Sequence, residues 1–148
     1  MTRTDLEAAF PNLVTDGYEV TSPASRKYNC ISWVAGDITQ KWDCTALPMA
    51  GYYWPAEATV GQGIDALVSA FKTLRYEVCH DASVERGVEK IALFADTHGE
   101  WTHAAKQLSD GRWSSKLGDA EDIAHATTQG VEGLIYGQVK HYMRRASV

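Results

Sequence analysis

The hydrophobic pattern changes period at residue 88, and that change constrains the fold more than any other feature of the chain. "VEKIALFAD" (88–96) reads as a strand apolar enough to be central, "THG" (97–99) as a turn and "EWTHAAKQL" (100–108) as a second strand. "SDG" (109–111) then closes a hairpin onto a third strand, "RWSSKLG" (112–118). Two loops this short join antiparallel strands, because a parallel crossover needs a dozen or more residues. "DAEDIAHATTQGVEG" (119–133) reads as a polar helical or irregular crossing, and "LIYGQVKHYMRR" (134–145) as a last strand.

Helical signals come earlier. Residues 2–9 fit a short helix with Thr4 as cap, Glu7 three positions on and Pro11 beyond its end. In "TVGQGIDALVSAFKTL" (59–74), Ile64, Leu67, Val68, Phe71 and Leu74 fall on one helical face. "DGYEVTSPAS" (16–25) reads as a brief extended segment and loop, residues 38–55 as irregular structure with a helical turn, and "YEVCHD" (76–81) as a short strand or helix exit. Helices followed by strands predict an α+β domain over residues 1–148, with N-terminal helices packed on one face of an antiparallel sheet.

The 148 residues carry a formal charge of −5 and, apart from Lys140, Arg144 and Arg145, no dense basic cluster, which argues against nucleic acid and anionic membranes as partners. The sequence has no apolar stretch of signal-peptide type at its start and no run of about 18 apolar residues, so a cytoplasmic, soluble protein is expected. Three cysteines, Cys30, Cys44 and Cys79, form no C-x-x-C pair and no even framework, which suits a reducing compartment.

"KYNCISWVAGD" (27–37) places Cys30 at the start of a short apolar helix ended by Gly36 and Asp37. A helix start and a nearby imidazolium lower a thiol pKa, and an imidazole can protonate a leaving group and activate water. Strand alternation sets Trp101, His103, Ala105 and Gln107 on one face and Trp113, Ser115 and Leu117 on one face of the next strand. If these faces turn toward the helices, Cys30, His103 and Ser115 meet as nucleophile, base and orienting group; Asp122 or His125 is an alternative third member. A buried cysteine is more often inert filler, so order and spacing alone leave both readings open.

"YNCISWVAGD", "GYYWP", "EKIALFADTHGEWTHAAKQLSDGRWSSKLGDAEDIAH" and "EGLIYGQVKHYMRR" together resemble the signature blocks of an uncharacterised bacterial domain family. Their motif order is distantly similar to the papain-like cysteine peptidases and amidases of the CHAP and NlpC type. That resemblance implies a papain-like fold and a cysteine hydrolase acting on an amide bond, with Cys30, His103 and Ser115 in the catalytic positions. It also implies a peptide or amide-containing substrate, and Tyr18 falls where NlpC-type enzymes often carry an active-site tyrosine. Asn29 stands where that motif has Asp, and Ser115 where His, Asn or Gln is usual. Tyr28, Asn29 and Trp54 are the expected cleft lining. The alternative class is a non-catalytic protein-interaction domain with a structural cysteine.

Weaker signals point elsewhere. Asp96, His98 and His103 are close in sequence, but without a helical His pair no metal is expected. "GQG" (61–63) lacks the rest of a dinucleotide fingerprint, and no cofactor is expected. Trp42, Tyr52, Tyr53 and Trp54 suit a core or a stacking wall. Lys116, opposite in facing to Ser115, is expected in solvent, and Cys44 and Cys79 have no histidine on a facing strand, although His80 adjoins Cys79. Oligomeric state is not legible.

Overall fold

The computed structural model describes residues 1–147. A seven-stranded sheet, antiparallel throughout, holds β1 (Tyr18–Ser22), β4 (Glu77–Cys79), β5 (Val88–Ala95), β6 (Trp101–Gln107), β7 (Trp113–Lys116), β8 (Asp122–His125) and β9 (Gln138–Ala146) in the order β1-β8-β7-β6-β5-β9-β4. The β5–β6–β7 meander is therefore as expected, and β5 is central, flanked by β6 and β9. A parallel two-stranded ribbon of β2 (Lys41–Trp42) and β3 (Tyr52–Tyr53) stands apart from this sheet.

Helices cover both sheet faces, not one. On one face α1 (Arg3–Ala9) and α2 (Leu13–Asp16) place Leu6, Phe10 and Leu13 against Ala92, Phe94, Ala105, Trp113 and Ile123. On the other, α3 (Cys30–Ala35) and α4 (Ile64–Lys72) place Ile31, Val34, Leu67 and Phe71 against Ile91, Leu93, Ala104 and Met143. The physical reason lies in β5: Ile91 to Ala95 are buried without alternation, and a strand apolar on both sides needs cover on both.

Local chemistry sets the ends of these elements. α1 starts two residues earlier than the Thr4 signal suggests, because Thr2 and Asp5 form a reciprocal capping box. Asn29 caps α3 by accepting the Ser32 N–H at 3.0 Å, and Gly36 ends it in the left-handed region at φ 88°. The stretch 119–133 contains β8, not a simple crossing, and β9 begins at Gln138 because Gly133 and Gly137 close a tight loop by bonding each other's backbone at 2.8 and 3.0 Å. Among the described residues, no helix is long and apolar enough to cross a membrane.

Candidate functional site

On β6 the side chain of His103 points to the face shared with Phe94, and the imidazole lies fully buried with its ring 5.1 Å from Phe94. Ser115 on β7 and His125 on β8 share that face and are also buried. The three are joined: His103 Nε2 lies 3.0 Å from Ser115 Oγ, Ser115 Oγ 2.8 Å from His125 Nε2, and His125 Nδ1 2.7 Å from the Thr127 carbonyl.

The proton positions follow from the ends of this chain. A carbonyl only accepts, so His125 Nδ1 carries hydrogen and donates to Thr127. Burial lowers the pKa of both imidazoles, His103 well below its ordinary value, and a charge on His125 would disfavour protonation of His103 further. Neutral His125 then presents a lone pair at Nε2, which takes the single Ser115 hydroxyl proton. Ser115 Oγ in turn accepts from His103 Nε2–H. The result is a His103 whose Nδ1 is an unprotonated base, buried and, among the described residues, without a hydrogen-bond partner.

Cys30 opens α3 on the opposite core face, 8% exposed, so the facing argument from strand alternation put it on the wrong side of β6 relative to His103. The backbone N–H groups of Ala104, next in sequence to His103, and of Ile31 and Cys30 each favour the thiolate form of Cys30. Burial outweighs them and pushes the Cys30 pKa up to about 11, so a thiol, not the expected thiolate, is the resting form. No hydrogen bond joins it to His103, and the resting pair is neutral on both sides.

Tyr136 lies over this junction. Its ring stacks on His103 with centroids 3.9 Å apart and planes 5° from parallel, and its backbone carbonyl accepts a bond of 2.5 Å from the Thr102 hydroxyl. Tyr136 is also close enough to Cys30 for a thiolate there to raise the phenol pKa further, beyond the rise that burial causes. The loop carrying it, Gly133–Gly137, holds Leu134 fully and Ile135 half in solvent.

The other expected residues have local tasks. Tyr28 donates from its hydroxyl to Asp122 Oδ2 at 3.0 Å, and burial first, then that carboxylate, raise its pKa to about 12. Asn29 is held as the α3 cap and donates to the Trp42 carbonyl at 3.0 Å. Trp54 is buried in the core against Trp101, with centroids 6.0 Å apart. Tyr18 pairs with His125 across β1 and β8 and donates to Glu7 at 2.8 Å. Trp42 and Tyr53 pack with ring centroids 5.0 Å apart.

Lys116, expected in solvent, is fully buried, its ammonium donating to the carbonyls of Ser25, Gly118 and Ala120. His98 is exposed at its turn, and among the described residues no group of three metal-ligating side chains is assembled. Cys44 bonds with Gly61, and Cys79 lies near its own loop at Asp81, so neither joins an imidazole. Sequence reasoning missed Tyr136 and placed His125 only as an alternative. The alternation in "DIAH" (122–125) was the available signal for the latter.

Neither the curated proteins nor the solved structures include a match to this chain. One family profile matches residues 19–144, a stretch that contains every member of the His103–Ser115–His125 chain, Cys30 and Tyr136. The chain belongs to the family described as a domain of unknown function, DUF7689.

Proposed function

We propose that the domain is a cysteine hydrolase of amide bonds, distantly papain-like in the order of its catalytic elements, with Cys30 as nucleophile and His103 as base. The observation that carries this reading is the bare, buried His103 Nδ1, whose tautomer is fixed through Ser115 and His125 to a backbone carbonyl. A histidine kept only for packing has no need of an ordered proton chain that leaves one lone pair free.

In the reaction, once the thiol and the imidazole, which sit on opposite faces of β6 in the resting chain, are brought together, the Cys30 proton passes to His103 Nδ1 as sulfur attacks the carbonyl carbon of a peptide or amide substrate. Imidazolium forms, Ser115 and His125 hold its Nε2–H side, and the proton then goes to the departing amine nitrogen. Water, deprotonated by the same nitrogen, releases the acyl group. N–H groups such as that of Ala104, which favours the thiolate, supply donors beside the developing oxyanion. Tyr136 covers His103 in the resting chain, so substrate entry requires its displacement.

The burial of Cys30 favours a second reading, a non-catalytic interaction domain in which the thiol is core. One experiment separates them: incubation with p-nitrophenyl acetate, followed by peptide mass spectrometry. Acetyl on Cys30 that disappears in His103→Ala, with Cys44 unmodified in both, is the expected outcome. Absence of acetyl-Cys30, or equal labelling without the imidazole, overturns the hydrolase.

A further inference from the structure

Among the described residues, the fully buried Lys116 has a charge without a bonded anion. Its three acceptors are carbonyls, Ser25 at 2.7 Å, Gly118 at 2.6 Å and Ala120 at 2.7 Å, and three acceptors require three N–H bonds, so the group is an ammonium. Lys90, equally hidden, shows the contrast: Asp81 and Glu85 neutralise it at 2.7 and 2.8 Å. Removing an ammonium from water without a counter-ion is costly, and a chain that does so has placed a field there.

The surroundings direct that field. Asp122 stands across from Lys116 in the β7–β8 ladder, yet one of its oxygens takes the Tyr28 hydroxyl and the other has no partner. Asp119 is paired with Lys41 at 3.0 Å. Lys106, from β6, lies 3.8 Å over the Trp33 ring and adds to the positive side. Ser25 and Tyr28, the latter with its ring centroid 5.0 Å from the ammonium, belong to the segment leading directly into Cys30. Burial disfavours the charged form of both Lys116 and Cys30; at Lys116 the fields of Asp122 and then Asp119 oppose it ahead of a Cys30 thiolate, and the Lys116 charge in turn favours that thiolate, which is the one negative charge of this set that arises only in the proposed reaction.

We propose that Lys116 is a positioning cation for Cys30: locked by three carbonyls, it tethers the segment that carries the nucleophile and presents a fixed positive charge to the thiolate and the oxyanion beside it. This assignment rests on the hydrolase reading. Lys116 keeps its proton throughout; the thiol proton goes to His103, and no bond to the ammonium forms or breaks.

The test compares alkylation of Cys30 and Cys79 in the full chain by anionic iodoacetate and neutral iodoacetamide from pH 6.5 to 9. A fixed cation gives Cys30 an iodoacetate preference at least about threefold above that of Cys79, level across this range, retained in His103→Gln and lost in Lys116→Met. A preference equal to that of Cys79, or one that decays with pH and vanishes in His103→Gln, overturns the assignment, and neither result depends on Lys116→Met folding. In a folded Lys116→Met chain the pH profile of Cys30 also moves up, by about one pKa unit or a tenfold loss of rate at fixed pH. Acetyl-Cys30 formed without any charge preference sinks the Lys116 assignment alone. Charge preference without acetyl-Cys30 sinks the hydrolase alone.

Discussion

His103 and His125 are neutral in the fold and become charged more readily in the unfolded chain, where histidine titrates near 6.5. Because their folded pKa values lie below that, the unfolded state binds more protons as pH falls through about 6.5, and folding stability drops with it. Each histidine contributes a slope of up to about 1.4 kcal/mol per pH unit below that point. Urea midpoints between pH 7.5 and 5 should show this decline, and His103→Leu should flatten it; a level profile in the parent chain removes the neutral-pair account. The His103–Ser115 contact was legible at this scale because strand alternation puts two polar residues on the same side of neighbouring strands. The burial of Lys116 was not legible, since its three acceptors are backbone carbonyls that no side-chain pattern announces.

At the scale of elements, the Gly133–Gly137 loop governs access. Gly137 has φ 70°, and a Cβ there would come within 2.1 Å of the Ala95 carbonyl, so this position admits glycine alone and pins the loop to the end of β5. Tyr136→Ala should uncover the site and raise Cys30 alkylation by at least about tenfold, a gain of roughly 1.4 kcal/mol in the opening equilibrium. Tyr136→Phe, which keeps the stack, should leave the rate unchanged, and equal rates in all three chains refute the cover. The meander and α4 were legible because each carries several apolar residues at one clear period. β8 was obscured because Asp122 and His125 point polar groups inward to Tyr28 and Ser115, which gives a buried strand the composition of a solvated crossing. The tight loop within "EGLIYG" (132–137) was hidden by Leu134 and Ile135, apolar residues that stand in water and extend the look of β9.

For the whole molecule, β5 is the member common to both cores. Leu93 and Phe94 are neighbours in sequence and are buried on opposite faces, one with α3 and α4, the other with α1 and α2. Loss of either face leaves this central strand half covered, so the two cores should unfold together. Leu93→Ala and Phe94→Ala should each cost about 2–5 kcal/mol. In both variants tryptophan fluorescence and far-UV circular dichroism should report a single shared urea midpoint; separate midpoints for the two probes would mean independent halves. The α+β class was legible from the order of helices and strands, whereas the cover on both faces depends on how α1 and α3 divide between them, which order alone leaves open.

The pairing of β1 with β8 also sets a schedule for synthesis. Tyr18 finds His125 as its partner, about a hundred residues later in the chain, and at some 5–20 residues per second a ribosome takes roughly 5–20 s to supply it. Through that interval Leu6, Phe10 and Leu13 have no Ile123 or Val131 to cover them. Until β8 is made, the α1–α2 segment is thus an apolar, unpaired stretch, a natural client for whatever holds unfinished chains apart.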